Sequence, residues 1–162
     1  MAYTKLEDLT KEQAVELHKK LWERMAEIAE SGEMPTKERA VEDLGYHIVS
    51  VECCCFLCAY GAQQIKKYLD DSPRDIRLRA CMNGAASRCD WCPVDWNPII
   101  KVNNPCTVRN TVYDTFNSYK HRFYGKLYIK EYRDKVAGIC REIANLPLAV
   151  ADEGVKQSRE SK

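Results

Sequence analysis

Two Cys-x-x-Cys pairs, Cys55/Cys58 and Cys89/Cys92, separated by a 30-residue spacer, constrain this chain more than any other feature. A Cys-x-x-Cys turn lets two thiolates converge on one ion at about 2.3 Å each, and a second turn completes a closed tetrahedron. The arrangement predicts one structural zinc held by Cys55, Cys58, Cys89 and Cys92. Four protein ligands leave no position for a catalytic water, so the motif speaks to architecture before chemistry. An iron–sulfur cluster is the alternative, because it too is held by four thiolates.

The chain carries 9 cysteines in 162 residues. Cys53 and Cys54 adjoin the first pair, Cys81 precedes the second, and Cys106 follows it. Cys81 and Cys106 are therefore candidate additional ligands. The sequence starts without a basic segment followed by an apolar one, and its longest apolar runs, 53–60 and 146–151, fall far short of the roughly 20 residues that span a bilayer. These features predict a cytoplasmic protein that makes no contact with membrane. There thiols stay reduced, and an odd cysteine count favours metal ligation plus free buried thiols over a disulfide framework.

Helical signals flank the cysteine region. Thr10-Lys11-Glu12-Gln13 forms a capping box, and Ala14, Leu17, Leu21, Met25 and Ile28 recur at steps of three and four until Ser31-Gly32. Glu16 and Lys20 are placed to pair on the outer face. A short helix is predicted over 36–44, with Pro35 before it, Ala40, Val41 and Leu44 inward and Gly45 as its stop. Residues 46–51 read as extended. Helical spacing returns over 59–69 at Ala62, Ile65 and Leu69, then over 110–119 at Val112, Tyr113 and Phe116. It appears last over 127–145, at Ile129, Tyr132, Val136, Ile139 and Ile143. Cys140 falls on the inward side of that last helix as a small core residue.

Between Pro73 and Pro105 periodicity is poor, and a bound metal is what would order the stretch. The predicted fold is mainly α: a small single domain of packed amphipathic helices over 1–150, a central zinc-knuckle module and room for a short β-hairpin. A disordered polar tail is expected over 151–162.

Charge is unevenly distributed although the net charge is +1. Residues 1–52 carry 7 lysines and arginines against 12 acidic residues, whereas 53–150 carry 15 against 9. Such polarity suits either a nucleic-acid contact or a protein partner. Arg74, Arg77, Arg79 and Arg88 in the spacer are the candidate contacts, with Trp91, Trp96, Tyr113 and Tyr119 able to stack on bases. Glu23, Glu27, Glu30, Glu33 and Glu38 form the acidic counterpart, either a phosphate-like surface or a solvated helix face.

Of the three histidines, His18 sits beside Leu17 and Leu21 as a packing residue. His47 precedes the first pair and is the replacement ligand to consider, and His121 lies among basic residues facing solvent. No catalytic residues are assigned. The zinc deaminase signature needs Pro before its Cys-x-x-Cys, but here Pro93 follows Cys92. The sequence therefore predicts a non-enzymatic protein, with redox activity at Cys89/Cys92 or nuclease activity as the alternative.

His18-Lys19-Lys20-Leu21-Trp22, Cys55-Phe56-Leu57-Cys58-Ala59-Tyr60, Cys89-Asp90-Trp91-Cys92-Pro93 with Trp96, Cys106 with Tyr113, and Glu142-Ile143-Ala144-Asn145-Leu146-Pro147 together carry a resemblance. In these segments the chain resembles small cysteine-rich, zinc-binding proteins encoded by tailed bacteriophages and prophages of Gram-positive bacteria. Its spacer is longer than is usual among them, and the inserted part holds the arginines. The resemblance implies a bacterial host cytoplasm, a shared metal site beside which Cys106 packs or ligates, and an accessory role. The expected function is to bind and modulate or inhibit a host bacterial protein, including a defence protein. Zinc-stabilised nucleic-acid binding through the arginine-bearing spacer is the alternative.

Overall fold

Thr10 begins the fold as the sequence predicts: its hydroxyl accepts from the Gln13 backbone N–H, and the Gln13 amide oxygen accepts from Thr10 N–H. This reciprocal cap satisfies donors that the first helical turn would otherwise leave open. Helix α1 then runs Lys11–Glu30 in the computed structural model, which describes residues 6, 8–47, 55–71, 92–94, 112–122 and 125–148. Ala14, His18, Leu21, Trp22, Met25 and Ile28 form its buried stripe, with Leu17 half-buried at the edge. Glu16 and Lys20 pair on the outer face at 3.4 Å. The chain leaves the helix through Ser31 and then Gly32, whose φ of +89° suits a residue without a β-carbon.

Helix α2, Lys37–Asp43, is capped by Thr36, which accepts from Arg39 N–H, and buries Ala40 and Val41. Helix α3, Phe56–Asp71, starts earlier than helical spacing alone suggests. The first cysteine pair is not a knuckle ahead of the helix but its opening turn, since Ala59 N–H already donates to the Cys55 carbonyl at 3.1 Å. Burial follows the same shift: Phe56, Leu57, Ala59 and Gly61 are buried, while Ala62, Ile65 and Leu69 are only half-buried. Helix α4 spans Val112–Arg122 and helix α5 spans Lys130–Ala144.

Five helices account for most of the described residues, and the protein is a small, mainly helical single domain. The amphipathic first and last helices, α1 and α5, form its most extensive interface; α2 and α3 also pack on α1, and α4 packs on α5. The core centres on Leu21, Trp22, Met25 and Ile28 from α1, Phe56 and Leu57 from α3, Phe116 from α4, and Val136, Cys140 and Ile143 from α5. Burying side chains of this size stabilises a fold by about 1.5–3 kcal/mol each.

The reading of the last helix changes. Ile129 is not on the inward face of the last helix; it is the residue before α5 and is partly exposed, as is Tyr128 beside it. The turn through Gly125, at φ +78°, delays the helix to Lys130 and buries Leu127 instead. No hairpin occurs among the described residues, where an isolated antiparallel bridge joins Val94 to Leu148. The extended reading of 46–51 is described only at Tyr46 and His47, and the tail over 151–162 lies outside the described residues.

Candidate metal centre

Cys55 is placed at the start of α3 and Cys58 within its first turn, where the helix dipole and unpaired backbone N–H groups favour thiolate. Cys55 is buried in the hydrophobic core; Cys58 and Cys92 are half-buried and pack against it. The Cys55 thiol is held well below the usual range, first by hydrogen bonding from Cys58, then by the His18 ring and the charge of Lys37, against the opposing effect of burial.

The sequence missed the proximity of His18 to Cys55. His18 is the buried polar member of the α1 stripe, and its Nε2 lies 3.1 Å from the Ile143 carbonyl oxygen at the end of α5. A carbonyl only accepts, so Nε2 carries the proton and donates it. In the neutral ring the lone pair then belongs to Nδ1. The available signal was position: His18 is four residues after Ala14 and three before Leu21, on the buried stripe. Its contact with a cysteine 37 positions away depends on packing of α1 against α3.

Lys37 supplies a fixed positive charge near this cluster. Its Nζ lies 4.4 Å from the Tyr113 ring centroid and 5.5 Å from that of Trp22, and it donates to the Tyr113 hydroxyl at 3.2 Å. Tyr113 is thereby packed against Lys37, Trp22 and Phe116.

The second pair is represented by Cys92 alone. The Val94–Leu148 bridge docks its segment just beyond the end of α5, the same end at which Ile143 receives His18. Cys89, Cys81, Cys106, Cys53 and Cys54 lie outside the described residues, as do Arg74, Arg77, Arg79 and Arg88. Among the described residues, no three donor side chains converge on a single ion position. Thiolates are ligands that zinc accepts, and none of Cys55, Cys58 and Cys92 is in a disulfide. His47 is half-buried, and His121 is exposed as its basic neighbours predict.

Several of the acidic side chains singled out in the sequence are engaged within the fold. Glu27 pairs with Arg24 at 2.7 Å, Glu30 with Arg141 at 2.7 Å, and Glu33 with Arg39. Arg24 also reaches Asp43 at 2.9 Å, tying α1 to α2. These pairs favour a solvated, internally balanced face over a phosphate-like surface.

Among the described residues, no helix is long and apolar enough to cross a membrane. No family model matches the chain, and neither does any curated protein or solved structure.

Proposed function

We propose that this protein is a zinc-stabilised helical binding module, a phage-type accessory factor that engages and modulates or inhibits a protein of its bacterial host in the cytoplasm. The observation that carries the reading is that the first cysteine pair is built into the core: Cys55 is buried with Phe56 and Leu57, and Cys58 packs against the same cluster. A metal held there serves as a staple for the fold rather than as a centre open to substrate. The staple frees a small domain to present surface. Tyr128, at 75% exposure, and Leu148, at 51%, offer apolar side chains at the two ends of α5. Tyrosine in particular is enriched where protein partners dock.

The deciding experiment is capture from a Gram-positive bacterial lysate treated with nuclease. Recovery of one host protein at defined stoichiometry supports the module. Retardation of nucleic acid with a steep salt dependence, abolished by reversing Arg77 and Arg79, would replace it with the nucleic-acid reading. Elemental analysis of fresh protein is expected to find one zinc per chain. Cys58→Ser and Cys89→Ser are expected to lose cooperative unfolding along with the metal.

A further inference from the structure

We propose that Cys55 and Cys58 are an oxidant-sensitive dithiol: a low-molecular-weight disulfide closes them into a bond within the first turn of α3, and the metal they hold is released. The release rests on the zinc reading above; the closure rests on how α3 begins.

Cys55 is the residue before α3, its carbonyl already accepting from Ala59 N–H at 3.1 Å, and Cys58 is the third residue of the helix. Residues three apart on a helix have α-carbons about 5 Å apart, inside the roughly 4.4–6.8 Å that a disulfide spans. A side chain at the capping position also folds back toward the third helical residue, which is the place of Cys58. The two residues between the cysteines, Phe56 and Leu57, are 0% and 1% exposed. The core therefore holds this turn in register whether or not the sulfurs are joined. Neither cysteine is in a disulfide, so the bond is open to form.

Burial sets the order of events. Cys58 is half-buried and meets the oxidant, whereas Cys55 is buried and meets only what Cys58 has become. The Cys58 sulfur attacks one sulfur of the small disulfide, whose S–S bond breaks, giving a mixed disulfide and one small thiolate. The Cys55 sulfur then attacks the Cys58 sulfur and expels the second small thiolate. Two cysteines have been oxidised and one disulfide reduced; in the metal-bound form both cysteines start as thiolates, so the two departing thiolates take their protons from solvent.

The bond would remove two of four ligands without replacing what the metal does. It closes a loop inside one helical turn and ties α3 to no other element, so it cannot act as a staple between segments. The oxidised protein thus keeps α3 but loses the cross-link that the metal supplies.

The test treats the full-length, zinc-loaded protein with oxidised glutathione. Release of one equivalent of zinc to a chromogenic chelator is expected, with loss of two hydrogens that mass spectrometry of the digest assigns to Cys55 and Cys58. The urea midpoint should fall, and dithiothreitol with added zinc should restore both metal and midpoint. Cys53→Ser combined with Cys54→Ser leaves only this pair in its peptide and should respond in the same way. A bond from Cys58 to Cys92, or loss of closure in that double variant, would assign the chemistry to another thiol and overturn the proposal. Zinc-loaded protein that keeps its metal and its thiols, under a treatment that oxidises the urea-unfolded chain, would overturn the switch while leaving the zinc reading standing. Protein that holds no zinc before treatment would overturn both.

Discussion

Trp22 and Phe116 meet edge to face, their ring centroids 5.1 Å apart and their planes at 89°. This contact joins α1 to α4, and Tyr113, stacked on Phe116, meets the same indole edge to face, 6.0 Å away at 83°. Such pairs add about 0.5–1.5 kcal/mol beyond the area they bury. Trp22→Ala is therefore expected to cost about 3–5 kcal/mol, and Trp22→Phe distinctly less, in urea unfolding followed by circular dichroism. A cost below 1 kcal/mol for Trp22→Ala would contradict the central position given to this ring.

The Gln63 side chain clamps the segment before α1 onto α3. Its Oε1 accepts from Leu9 N–H at 2.8 Å, and its Nε2 donates to the Leu6 carbonyl at 3.2 Å. Gln63→Glu keeps the acceptor and loses the donor. Hydrogen exchange at the Leu9 amide should accelerate strongly in Gln63→Ala and only slightly in Gln63→Glu, since each net hydrogen bond contributes about 0.5–1.5 kcal/mol.

Burial in the core pushes the Cys140 thiol up to about 12. The folded state thus holds this proton to higher pH than the unfolded chain, whose thiol ionises near 8.5. The resulting stability is fully present below that pH and is lost as pH rises toward 12. Cys140→Ala should flatten the alkaline side of the stability profile. At pH 9, iodoacetamide should spare Cys140 until denaturant is added, as mass spectrometry of the digested protein can show.

Hydrogen bonding from Arg39 holds the Glu33 carboxyl below its usual range. The contribution of this pair is present above the ordinary carboxylate pKa and lost as pH falls through the lowered one. In Arg39→Ala the Glu33 carboxyl should titrate higher, toward the ordinary value, as followed by carboxyl carbon NMR. No change on substitution would mean the ion pair does not persist in solution.

The sequence disclosed those elements whose signals are local. Thr10 with Gln13, and Pro35 and Gly45 on either side of Ala40 and Val41, announce α1 and α2 because the start or stop signal and the apolar step lie within a few residues. Cys140 was legible for the same reason, as one position of a regular stripe. The start of α3 was less legible, since Cys55 and Cys58 were read for metal chemistry and thiols do not interrupt a helix. Ile129 fits the stripe of α5 by spacing, but spacing cannot see that the turn at Gly125 postpones the helix from 127 to Lys130. The meeting of His18 with Cys55 and Ile143 belongs to tertiary packing, and no window along the chain contains it.

The pairing of α1 with α5 has a consequence for how the chain is made. His18 and Ile143 are 125 positions apart, so the principal partner of the first helix leaves the ribosome well after it. Until then the apolar stripe from Ala14 to Ile28 has α2, α3 and, later, the Tyr113 and Phe116 rings of α4 to cover it, and at synthesis rates of about 5–20 residues per second that interval lasts several seconds. The nascent chain is therefore a natural client for chaperones over this interval.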